Sequence, residues 1–157
     1  MDQTVDTRFK EILSALHKTY LKPAGFKKTG SNFRLYLSDG LYKIINFQKS
    51  QFNSNGDCNF TMNIVLYFEK DLQNPNIQFK EYECVCRARV SDISPRYSRD
   101  QWWKLTESSS DTQLYTELEA VLSEDVLPWL EQFSSIEDAI RLKQCGALKN
   151  LLWRIHY

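Results

Sequence analysis

Arg34, Arg87 and Arg89 fall among amides and aromatic rings, and together these are the residues of the chain best equipped to recognise another molecule. A guanidinium carries five donors in a fixed fork and grips a carboxylate or phosphate through two parallel hydrogen bonds. Asn46, Gln48 and Asn63 add directional donors and acceptors. Tyr36, Tyr67 and Trp103 add large contact area with a polar tip. Hardly an acidic residue interrupts the set, so the chemistry it offers is recognition of an anionic or hydrogen-bonding surface.

Bond-making chemistry is not signalled. The sequence has no G-x-S-x-G, no P-loop and no H-E-x-x-H. Its histidines are His17 and His156. His17 follows Leu13 by four residues at the border of an apolar stripe, where a packed or surface histidine is the plain reading. Asp2, Glu69, Glu83 and Glu107 show no spacing that pairs them. A hydrolase needs two carboxylates that meet in a cleft, and it is the least favoured reading. The four cysteines include no CxxC pair. Cys84 and Cys86, two apart on one strand, read as reduced, buried thiols, so neither a metal nor a cofactor is expected.

At 157 residues the chain is long enough to bury a core and reads as a single α+β domain over 1–157. Twenty basic residues balance twenty acidic ones, which argues against a general binder of phosphate backbones but allows a local basic patch. An aromatic share of 13% suits a packed chain rather than a disordered one. The opening MDQTVDTRFKE lacks the basic start and apolar stretch of a signal peptide. No apolar run approaches the ~20 residues that span a bilayer. The expectation is a cytoplasmic protein with no membrane partner.

The elements that must position the candidate residues follow from periodicity. Asp6–Tyr20 repeats apolar residues at helical spacing, with Thr4 or Asp6 as cap and Pro23 as stop. Asn32–Leu37, Leu41–Ser50, Cys58–Glu69 and Tyr82–Val90 alternate with period two and read as four antiparallel strands. A two-residue Asp39-Gly40 turn sets Phe33 opposite Asn46. A three-residue loop with Gly40 left-handed sets Phe33 opposite Ile45, apolar on apolar, and is preferred. Lys43 breaks the apolar set of its strand and is expected at the rim, stem covered and ammonium wet. Ser91–Tyr97 reads as loop. Ser98 and Gln101 form a capping-box pattern that predicts a short helix carrying Trp102 and Trp103, one tryptophan in the core and the other at the rim of the sheet. Asp111–Phe133 is helical, kinked or broken at Pro128. Ser135 caps a helix over Ile136–Lys143, and Ala147–Ile155 reads as a last short helix.

The fold class is therefore α+β: an antiparallel sheet of about four strands with the N-terminal helix and the C-terminal helices packed on one face. The other face collects Arg34, Tyr36, Tyr42, Asn46, Gln48, Thr61, Asn63, Tyr67, Arg87 and Arg89, with Trp103 offered to its rim. An antiparallel sheet often keeps one plain solvated face. The sharper reading is a docking surface for a partner protein. The alternative is a nucleotide- or nucleic-acid-binding face whose tyrosines stack on bases.

The segments GFKK (Gly25–Lys28), INFQKS (Ile45–Ser50), FTMNI (Phe60–Ile64), CRAR (Cys86–Arg89), QWW (Gln101–Trp103) and LPWLE (Leu127–Glu131) carry a resemblance. Over residues 6–140 the chain resembles a family of small single-domain bacterial proteins known only as a domain of unknown function. The resemblance implies no activity to carry over. It suggests an immunity-type role, in which a small cytoplasmic protein neutralises a toxin, and it draws attention to Asn46, Gln48, Asn63, Arg87 and Arg89 as recurring polar positions.

Overall fold

The computed structural model describes residues 3–37, 40–54, 56–68, 85–135, 137–138, 141 and 152–153. In chain order these form α1 (Val5–Leu16), β1 (Lys27–Thr29), β2 (Asn32–Tyr36), β3 (Leu41–Lys49), β4 (Asp57–Phe68), β5 (Val85–Arg89), α2 (Val90–Ile93), β6 (Trp103–Thr106), α3 (Asp111–Ala120), α4 (Leu127–Glu131) and β7 (Leu152–Trp153). The fold is α+β around one antiparallel sheet of seven strands, in the order β1-β2-β3-β4-β5-β7, with β6 also paired to β4. The sheet thus has more strands than the four that alternation predicts. Those added, β1, β6 and β7, are two to four residues long, too short to show a period.

The two long alternating runs sit at the centre. β3 and β4 pair from Leu41↔Phe68 to Lys49↔Phe60 without a break. Phe33 lies opposite Ile45 and the Leu37 amide bonds the Leu41 carbonyl at 2.8 Å. Gly40 at φ 90° supplies the left-handed residue this register needs. Apolar pairing, rather than the Asp-Gly dipeptide, sets the register.

β4 is long enough to hold two neighbours on one edge. Asn63–Tyr67 pair with β5, and Asp57–Phe60 pair with β6. Between them the chain leaves the sheet as α2 and returns through Gln101, whose carbonyl accepts a 2.7 Å hydrogen bond from the buried Thr61 hydroxyl. This return overturns two expectations. Val90, expected to end a strand, and Ser91–Ile93, expected as loop, form a turn of helix that leaves the loop over Ser94–Tyr97, and the Ser98–Gln101 capping pattern starts no helix. Trp103 instead opens strand β6, because pairing opposite Phe60 buries its ring against the core.

The apolar residues on one face of β2–β6 pack with those of the helices as one cluster. Phe9 of α1 meets Phe60 at 4.8 Å between ring centres, and Phe60 stacks on Trp103 at 5.6 Å. Each large side chain removed from water there contributes roughly 1.5–3 kcal/mol. Within the Asp111–Phe133 segment, Leu114, Leu118, Val121, Leu122, Val126, Leu130 and Phe133 recur at helical spacing and are all buried. Pro128 has no amide proton to give the preceding turn. The chain absorbs this by widening into a π-helical segment, Val121–Val126, before α4 continues with proline in its first turn. A second π-helical stretch, His17–Leu21, extends α1. The His17 Nε2–H donates to the Phe26 carbonyl at 2.8 Å, so this histidine is a structural tie.

Lys43 departs from expectation. Its side chain is only 6% exposed on the core face, and burial lowers its pKa against the opposing pull of Glu131 and Asp138. Ser135 does cap the turn after α4, its hydroxyl accepting from the Asp138 amide at 3.3 Å. The expected last helix is overturned where it is described, since Leu152–Trp153 pair with Cys86 and Arg87 as β7. Tyr82–Cys84 and most of Ile136–Gly146 lie outside the described residues.

Candidate functional site

The register places the ten candidate residues of the sheet on one face, in three rows across the strands. The first row runs Asn32, Asn46, Asn63, Arg89, with Gln48 and Thr61 beside it. The second runs Lys27, Arg34, Ile44, Val65, Arg87. The third is Tyr36, Tyr42, Tyr67. Among the described residues of the strands, five cationic side chains (Lys27, Arg34, Arg87, Arg89, Lys104) and one carboxylate, Asp57, fall on this face, so its described part is cationic in a chain of zero net charge.

The first row is a chain of amide hydrogen bonds. Asn46 Nδ2 donates to Asn32 Oδ1 at 2.7 Å, and Asn63 Nδ2 donates to Asn46 Oδ1 at 3.0 Å and to Gln48 Oε1 at 2.8 Å. Gln48 Oε1 also lies 3.5 Å from an Arg89 nitrogen. Arg89 further places its guanidinium 5.5 Å from the centre of the Trp102 ring and its Nε 3.9 Å from Asp100. Half-buried Asn46 and Asn63 therefore satisfy one another, as part-buried amides must.

The second row is built differently. Half-buried Ile44 and Val65 form a floor, and the exposed Arg34 and Arg87 stand at its two sides. Among the described residues neither arginine has an ion-pair partner. Strands about 4.8 Å apart set the two arginine backbones about 14 Å from each other. The tyrosine row closes one end, with Tyr36–Tyr42 at 4.8 Å and Tyr42–Tyr67 at 5.7 Å and the rings tilted by 46° and 49°. Tyr36 is 49% exposed.

Residues 17–132 match the family described as Domain of unknown function (DUF4304). The chain belongs to the DUF4304 family. No curated protein and no solved structure matches it. The DUF4304 match includes every residue of the three rows and stops short of β7.

Trp103 does not join the site. It is 4% exposed, stacked on Phe60, with Tyr97 edge-on at 5.9 Å. Its neighbour Trp102 is the exposed tryptophan, and the strand that replaced the expected helix is the reason. Adjacent strand residues point to opposite faces, so burial of Trp103 fixes Trp102 on the polar side. Trp102, Lys104 and the Ile44–Val65 floor are what sequence reasoning missed. Val65 was legible as an apolar residue on a polar face, and an apolar patch among exposed arginines is the signal that could have found the floor.

Carboxylates near the face are engaged. Asp92 accepts from the Arg89 amide at 2.8 Å and Asp100 from the Trp102 indole at 3.0 Å. Glu107 lies near Gly56. Asp2, Glu69 and Glu83 lie outside the described residues. Among the described residues no group of three or more His, Cys, Asp or Glu could hold a metal ion. No described helix is long and apolar enough to cross a membrane.

Proposed function

We infer that this DUF4304 protein is a cytoplasmic, non-enzymatic binding module, with its helices gathered on the apolar face of the sheet and a partner protein docking on the other. The observation that carries the reading is the Arg34–Ile44–Val65–Arg87 row, an apolar floor between two exposed guanidiniums that have no ion pair among the described residues. Protein interfaces combine an apolar centre with a charged rim, and arginine and tyrosine are among their preferred anchors. The excess of cationic over acidic side chains among the described strand residues of this face favours an acidic partner, with carboxylates on both sides of an apolar side chain.

Asn46, Gln48 and Asn63 act in this reading as the rigid border of the patch, because their hydrogen bonds are already made. The test is capture of partners from a native lysate by the wild-type chain and by Arg34→Glu/Arg87→Glu. The reading expects a specific, acidic partner lost in the variant while its melting temperature holds. Equal capture by both proteins removes this surface from consideration.

A nucleic-acid strand is the second reading, favoured by three tyrosines in a row beside arginines. The tilted, mutually packed rings offer a poor parallel platform for stacking, which ranks it second. It predicts binding to single-stranded oligonucleotides that weakens steeply with salt.

A further inference from the structure

An open depression of about 390 Å³ lies beside the sheet face, lined by Arg89, Ser91, Asp92, Ser98, Arg99 and Asp100. It belongs to neither the tyrosine row nor the apolar floor. Its walls are the start of α2 and the segment that leads back to β6.

The donors and acceptors of this depression are unequally occupied. Asp92 is held by the Arg89 amide and Asp100 by the Trp102 indole N–H, at 2.8 and 3.0 Å. The remaining oxygen of Asp100 lies 3.9 Å from Arg89 Nε. Both carboxylates are thus directed at donors of their own segments. Arg99 is exposed, and among the described residues it has no ion pair. The hydroxyls of Ser91 and Ser98 have no hydrogen-bond partner among those residues either. What is left over is a surplus of donors, the whole Arg99 guanidinium, the outer nitrogen of Arg89 that Gln48 does not take and two hydroxyls, against one unengaged oxygen of Asp92. A tetrahedral oxyanion accepts from several directions at once, and guanidinium forks match its oxygens in pairs. A metal cation is disfavoured, because two arginines flank the carboxylates and those already accept hydrogen bonds.

The geometry points to this depression as a binding site for a phosphate monoester, with Arg99 and Arg89 on its oxygens and Ser91 and Ser98 as hydroxyl donors. The exposed Trp102 ring, 37% accessible and under Arg89, stands next to it as a surface for a planar group attached to the phosphate. The proposal is independent of protein docking on the sheet face, so either can fail alone.

The test is a nitrogen-15 amide titration of the full chain at constant pH and ionic strength, with inorganic phosphate and then with adenosine monophosphate as probes. Saturable shifts confined to the Arg89–Trp102 region are expected. Arg99→Ala should weaken them at least tenfold, Ser98→Ala less, and Arg141→Ala should leave them unchanged. Circular dichroism of each variant checks the fold. Equal affinity for both probes assigns the site to the phosphate alone. Tighter binding of the nucleotide, lost in Trp102→Leu, adds the ring. Linear, unsaturable shifts with both probes, or identical titrations of wild type and Arg99→Ala, overturn the proposal.

Discussion

Two neighbouring rows of one sheet face behave in opposite ways. In the amide row Asn32, Asn46, Asn63 and Gln48 bond to one another over 2.7–3.0 Å, leaving little for a ligand. One row away, Arg34 and Arg87 flank Ile44 and Val65 and bond to no carboxylate among the described residues. The difference is geometric. Opposed asparagines on adjacent strands stand close enough for short amides to meet. Long arginines opposite β-branched residues have nothing at that height to meet. A polar residue on a sheet is therefore not automatically an available one.

The contrast breaks most visibly at Asn63. Asn63→Ala strands the half-buried acceptor Asn46 Oδ1 and removes one of the two donors to the exposed Gln48 Oε1. It should cost about 1–3 kcal/mol in denaturant unfolding. A cost near zero would mean that water replaces the amide and that the row is open after all.

Lys43 sharpens the comparison from the other face, where a cation is buried instead of open. Its folded pKa lies below the unfolded value, so between the two the unfolded chain binds more protons. Stability should therefore rise with pH as it approaches 10.5 from below, while the penalty stands in full at neutral pH. Lys43→Met should raise stability at pH 7 by about 1 kcal/mol and remove that slope. Tyr20, raised to about 12 by its hydrogen bond to Glu119, pulls the other way above pH 10, so the difference between the two proteins is the quantity to plot. A destabilised Lys43→Met would show that Glu131 and Asp138 more than offset the burial.

The smallest effect on stability is expected where the effect on binding is largest. Arg34→Ala and Arg87→Ala remove exposed side chains that have no ion pair among the described residues, and each should change unfolding by no more than about 0.5 kcal/mol. A larger loss in thermal melts would make these arginines structural and bring the two rows together.

Much of the fold was legible because it rests on period-two burial. Phe33 opposite Ile45, Cys86 and Ala88 in the core and the continuous β3–β4 ladder follow from which side chains avoid water. The grouping of ten residues on one face follows from the same alternation. Trp102 and Trp103 were misread because a local capping pattern competes with a distant partner. Only the pairing of Trp103 with Phe60, forty-odd positions away in sequence, decides that the segment is extended.

The α+β class, the register of the central strands and the ten strand residues of the polar face were legible from local alternation and the cost of exposing apolar surface. The tertiary structure decided which members of that face are already bonded to each other, which tryptophan reaches it, and that Lys43 lies beneath it. Those outcomes depend on distances between side chains from different strands, and no local pattern encodes them.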